Sequence, residues 1–159
     1  MPSKLTIEAW PATDPGQPNA ENEDFVLVYQ PQNVTEQRLA GNLYVVADGS
    51  GGGGRGRLAS RYVAQSIANT YYNSDEFDLG LRLREAVQRA NASLYGYVQQ
   101  RPELIKLSTT VTAAVIRGEE LHVASVGNSR AYVIRDGQIH QITRDHTLVQ
   151  QLLDEAAIT

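Results

Sequence analysis

Residues 42–56, NLYVVADGSGGGGRG, decide how the rest of the chain is read. Asn42 to Asp48 is a short apolar run with the composition of a buried strand. It ends on a carboxylate, Asp48, and passes straight into Gly49-Ser50-Gly51-Gly52-Gly53-Gly54. A loop so poor in side chains is one whose backbone another group approaches closely. A carboxylate beside an exposed carbonyl suits a hard cation such as Mg²⁺ or Mn²⁺. On spacing alone Asp48 is equally well read as a turn or helix-capping aspartate.

The same glycines satisfy the dinucleotide pattern G-x-G-x-x-G, as a run of glycines satisfies almost any glycine pattern. The residues after them do not suit a dinucleotide fold. Ala59, Val63, Ile67 and Tyr71 recur as one helical stripe, and Leu79, Leu83, Ala86, Val87, Ala90, Leu94 and Val98 make a second before Pro102. The fingerprint needs a strand there, carrying an acid about 20 residues on. A P-loop is excluded too, because Lys occurs only at positions 4 and 106 and no Gly-Lys-Ser/Thr exists.

Upstream, residues 4–10 (KLTIEAW) are predicted as a first strand and 11–24, with three prolines, as loop. Asn22-Glu23-Asp24 then opens the apolar run Phe25–Tyr29, a second strand. Adjacent acids at a strand start point to opposite faces, so one can reach a metal directly and the other through water. Alone, a solvated turn is the better reading of this triplet. Residues 31–42 read as the connection of a wide hairpin. Downstream of Ser108 the period becomes two. STTVTAAVIR, ELHVASV and RAYVIRD are β-branched, and Gly118 and Asp136-Gly137 mark turns. Gln138–Ile142 is a further strand, and a last helix is predicted over 146–156. Val126-Gly127-Asn128-Ser129-Arg130 breaks two of these strands and by itself reads as a polar turn.

Strands and helices are therefore segregated, which favours α+β over a wound parallel sheet. One domain over residues 1–159 is expected. Acids number 18 against 14 Lys and Arg, a formal charge of −4. That balance argues against nucleic acid or an anionic membrane as partner. Apolar residues, at 42%, suffice for a core, and no run approaches the ~20 residues of a membrane helix. With no cysteine, thiolate zinc sites and cysteine nucleophiles are excluded. A soluble, cytoplasmic domain is the expectation. His122, His140 and His146 have no metal-binding spacing, and no G-x-S-x-G occurs.

Five segments in order, TDPGQPNAENED (13–24), VVADGSGGGGRGRLAS (46–60), STTVTAAVI (108–116), LHVASVGNSRAYVIRDGQIHQIT (121–143) and RDHTLVQQLL (144–153), resemble the metal-dependent protein phosphatases of the PP2C (PPM) family. The resemblance covers nearly the whole chain. It implies an antiparallel β-sandwich flanked by helices, αββα, with a centre of two Mn²⁺ or Mg²⁺ ions between the sheets. Asp48 would bridge the ions and the Gly49 carbonyl would bind one. Asp24 and Glu23 would act mainly through water, and a metal-activated water would attack the phosphorus of a phosphorylated protein substrate. Asp48 and Asp24 are thus the candidate catalytic residues.

The sequence departs from the family pattern in three places. Asn19 stands where the family has a phosphate-binding arginine, leaving Arg55 or Arg57 as candidate phosphate ligands. Asn128 replaces the aspartate of G-D-S-R. The later D-G and D-N segments would lie beyond Thr159, so the fold is expected to be incomplete at its C-terminus. Two divalent cations carry +4 while Glu23, Asp24 and Asp48 supply −3, so weak or partial metal binding is expected. Unpaired strand edges would make such a fragment self-associate. The alternative function is a catalytically inactive PP2C-like module that binds a phosphoprotein or regulatory partner.

Overall fold

The computed structural model describes residues 6–17 and 21–156. Its centre is an antiparallel sheet of five strands: β1 (Asp24–Tyr29), β2 (Asn42–Ser50), β3 (Ser108–Thr109), β4 (Val111–Arg117) and β5 (Glu120–Val126). The main order is β1-β2-β4-β5, with β3 also on β2. β2 alternates strictly from Leu43 to Asp48 in its sheet: Leu43, Val45 and Ala47 are buried on one face, while Val46 and Asp48 are on the other. That period of two fixes the register, because a one-residue slip would bring Asp48 into the core.

Two long helices cover the buried face, α2 (Gly56–Tyr72) and α3 (Leu79–Gln99). Both predicted stripes are buried in full, from Ala59 to Tyr71 and from Leu79 to Val98, and they pack on Leu43, Val45, Ala113 and Val115. Asp78 caps α3 by accepting from the Leu81 N–H at 2.9 Å. The Tyr71 hydroxyl donates to the Ala40 carbonyl at 2.7 Å, and burial pushes its pKa up to about 12.

Two predicted elements differ. Residues 6–10 are not a strand, and Lys4 and Leu5 lie outside the described residues. Ile7–Pro11 share a cavity with Val26–Val28 and Tyr44–Val46, and β1, the edge strand, pairs only with β2. The connection 31–42 holds a helix, α1 (Val34–Ala40). The Asn33 side chain accepts from the Thr35 and Glu36 N–H groups, and Gly41, at φ 73°, ends it.

The second sheet is the hairpin β6 (Tyr132–Arg135) and β7 (Gln138–Gln141). Asp136 and Gly137 turn it, at φ 52° and 75°, as the Asp-Gly pair predicts. It stands away from the first sheet: the cross-strand neighbours Ile134 and Ile139 are 73% and 65% exposed. α4 (Leu148–Asp154) comes last, capped by Thr147, within the span predicted to be helical. The class is α+β, with an antiparallel sheet under two helices and a second, two-stranded sheet.

Candidate metal centre

Asp24 and Asp48 are cross-strand neighbours in the β1–β2 register. Directly paired residues share a face, so both carboxylates stand on the side of the sheet away from α2 and α3. Burial first, and the Asp48 charge second, raise the Asp24 pKa above the ordinary carboxylate value. Two like charges side by side are a donor set that a cation would relieve.

Glu23, one residue before Asp24, is turned the other way. Its carboxylate accepts from the Gly56 N–H at 2.9 Å, closing the N-terminus of α2 from outside the helix. Its carbonyl accepts from the Ser60 hydroxyl at 2.6 Å and the Gly49 N–H at 3.2 Å. One residue thus ties the start of β1 to the end of β2 and to α2.

The close approach expected along the glycine loop is made by the chain itself. A Cβ on Gly56 would lie 2.5 Å from the Gly49 carbonyl carbon, and one on Gly49 would strike the Gly56 carbonyl. A Cβ on Gly54 would strike the Glu21 carboxylate. Gly49 and Gly56 are bare because two backbones cross there, next to Asp48, whereas Gly52 and Gly53 have open space and turn the loop at φ 67° and 63°. The element after α2 is the helix α3, which disposes of the dinucleotide pattern.

The two arginines separate. Arg55 donates to the Glu103 carbonyl at 2.8 Å and the Gly52 carbonyl at 3.3 Å, fastening the glycine loop to the turn at Pro102–Leu104. Arg57 lines a cavity of about 320 Å³ together with Asp24, Asn22 and Thr13. Of the two it is the one that shares a cavity with Asp24. Asn19 lies outside the described residues.

The donor set fits a hard cation in kind: carboxylates and a backbone carbonyl, with no thiolate or imidazole. It is small in number. Among the described residues no three His, Asp or Glu side chains converge to hold a metal ion. His122 is half-buried on β5, 3.8 Å from Glu120, and the His146 N–H donates to the Gly127 carbonyl at 2.8 Å. Motifs alone do not single out Thr110 and Ser129, which join Asp48 to the 127–130 loop. The Ser-Thr-Thr run is plain in the sequence, but its pairing with Asp48, 62 residues away, is not.

The sequence profile "Protein phosphatase 2C" matches residues 16–155. The chain is 35% identical over 147 residues to "Serine/threonine protein phosphatase PstP" of Mycobacterium tuberculosis, covering 92% of this chain and 26% of that protein. It is 28% identical over 151 residues to "Serine/threonine phosphatase stp" of Listeria monocytogenes, covering 92% and 58%. The crystal structure of the PstP catalytic domain in complex with two manganese ions is similar at TM-score 0.73 and 37% identity, over 92% of this chain and 59% of that one. Stp1 of Staphylococcus aureus is similar at TM-score 0.78 and 33% identity, over 93% and 57%. The chain therefore spans a quarter to about three-fifths of the length of these relatives.

Proposed function

The chain belongs to the protein phosphatase 2C family, and from that premise we propose that it carries part of a metal-dependent phosphatase centre acting on phosphoserine and phosphothreonine in proteins. The observation that carries this is the pairing of Asp24 with Asp48 on one face of the β1–β2 ladder. Mn²⁺ or Mg²⁺, when bound, supplies Lewis acidity that activates water and offsets phosphoryl charge. The residues of this chain bind and orient. Asp48 and Asp24 hold the cation, with the Gly49 carbonyl as a neutral oxygen ligand. Glu23 keeps α2 and the glycine loop in place through its carboxylate on the Gly56 N–H. Arg57 steers the phosphate to the Asp24 side of the site.

The names of PstP, Stp and Stp1 support the substrate class, and the manganese-bound PstP structure supports the metal. None of these relatives is named as an inactive binding module. The formal charge of −4 supports a protein substrate over nucleic acid or an anionic membrane. We further propose that the isolated 159-residue chain self-associates, on the support of the exposed Ile134–Ile139 pair and the exposed Val46 on the open sheet face. Light scattering across concentrations tests it, and a monomer throughout is the contrary result.

The central test is hydrolysis of an aryl phosphate by the 159-residue chain with Mn²⁺, alongside calorimetric Mn²⁺ titration. Slow turnover is expected, abolished by chelator and by Asp48→Asn, which also weakens binding. Turnover indifferent to chelator, or unchanged in Asp48→Asn, overturns the reading.

A further inference from the structure

Asp48 is held by an arrangement that an ordinary ladder does not have. The registers of β3 and β4 on β2 put Thr110 opposite Asp48, in the gap between the two strands. The Thr110 N–H donates to the Asp48 carbonyl at 2.8 Å, as a paired residue should. The reciprocal bond is different. The Asp48 N–H donates to the Thr110 side-chain oxygen, Oγ1, at 3.2 Å, where a backbone carbonyl would normally accept. The Thr110 carbonyl instead accepts from the Thr109 hydroxyl at 2.9 Å, and that hydroxyl also lies 3.0 Å from the Asp48 carbonyl.

Thr110 Oγ1 lies 2.6 Å from Ser129 Oγ, and the Thr112 hydroxyl donates to the Ser129 carbonyl at 2.7 Å. A hydroxyl that accepts from one neighbour still has its own proton for another. The path Asp48 N–H to Thr110 to Ser129 is therefore a chain of linked bonds, each polarising the next. The loop at its far end is itself fixed. Gly127 packs so closely on Thr110 that a Cβ there would lie 2.8 Å from Thr110 Cγ2. Arg130 holds Asp145 at 2.7 Å.

We propose that the Thr110–Ser129 hydroxyl pair is a positioning device that sets the Asp48 carboxylate for cation binding and makes that setting depend on the 127–130 loop. Its functional half rests on the phosphatase reading above; its structural half does not.

The test uses the 159-residue chain and its variants Thr110→Val, Thr110→Ser, Ser129→Ala and the Thr110→Val/Ser129→Ala double. Thr110→Val keeps the shape and removes the hydroxyl, whereas Thr110→Ser keeps the hydroxyl. Mn²⁺ titration is expected to show about tenfold weaker binding in Thr110→Val, a smaller loss in Ser129→Ala and little loss in Thr110→Ser. The double variant should be no weaker than Thr110→Val, since one path is cut once. The second readout is hydrogen exchange of the Asp48 amide without metal, which should speed up in Thr110→Val and Ser129→Ala and stay slow in Thr110→Ser. Unchanged Asp48 exchange in Thr110→Val, unchanged Mn²⁺ affinity, or full additivity in the double overturns the proposal. Failure of the unsubstituted chain to bind Mn²⁺ counts against the ligand role given to Asp24 and Asp48 instead, and the amide exchange still decides whether the pair holds Asp48.

Discussion

Gly56 shows how little freedom single residues have here. Its missing side chain admits the Gly49 backbone, so Gly56→Ala must push the start of α2 off the end of β2. Overpacking of this kind costs about 2 kcal/mol, readable as a lower melting temperature by circular dichroism. Asp24 works in the opposite direction. Its folded-state pKa is raised, so ionised Asp24 is disfavoured by the metal-free fold. Stability from this group is fully present below the ordinary carboxylate pKa and is lost as pH rises through the raised one. Asp24→Asn should therefore raise the melting temperature of the metal-free chain at neutral pH, with the difference closing in acid. A lower melting temperature at neutral pH would contradict the cost assigned to burying the Asp24 charge beside Asp48. The arginines part on function as well: Arg57→Gln should raise KM for an aryl phosphate several-fold, while Arg55→Gln should loosen the glycine loop and leave KM nearly unchanged.

At the level of elements, the hairpin β6–β7 depends on a clamp outside itself. Two strands alone are marginal in water. The Arg130–Asp145 pair joins the residues on either side of the hairpin, and the Arg130 hydrogen bond holds the Asp145 pKa below its ordinary value. A lowered carboxylate stabilises above its unfolded pKa, and the contribution disappears as pH falls through the folded one. Hydrogen exchange in 131–142 should therefore speed up in acid before the core melts, and Arg130→Gln should produce the same pattern at neutral pH. Exchange that tracked global melting in both cases would mean the clamp is idle. The long helices are legible in the sequence because each stripe is local: Ala59 to Tyr71 and Leu79 to Val98 repeat every three or four residues. The helix at Val34–Ala40 is not, because its signal is the single Asn33 cap in a stretch that otherwise reads as a connection.

In the whole molecule the same division separates what sequence order carries from what only pairing creates. Asp48 stands out because it ends an apolar strand before a glycine run, and Asp24 because it precedes another. That they face each other comes from an antiparallel register no motif records. Glu23 shows the converse: the motif marks an acid, and the fold applies its carboxylate to the N–H of Gly56. The Thr110–Ser129 link, bridging 19 residues of chain, has no local signal at all.

That link also bears on when Asp48 is set in place. Asp24, Asp48 and α2 leave the ribosome early, but Ser129 emerges some 60 residues after α2, roughly 3–12 seconds later at 5–20 residues per second. Until the 127–130 loop docks, the Thr110 hydroxyl that holds the Asp48 N–H lacks its Ser129 partner, and the repulsion between the two carboxylates is there from the start. A cation has little to bind in that interval and is expected to add little to folding before the loop docks. On the proposed reading, it would act as a brake on the way out of the native state instead of a guide on the way in. Stopped-flow measurements on the purified chain should accordingly find that Mn²⁺ slows unfolding and leaves the refolding rate where it was.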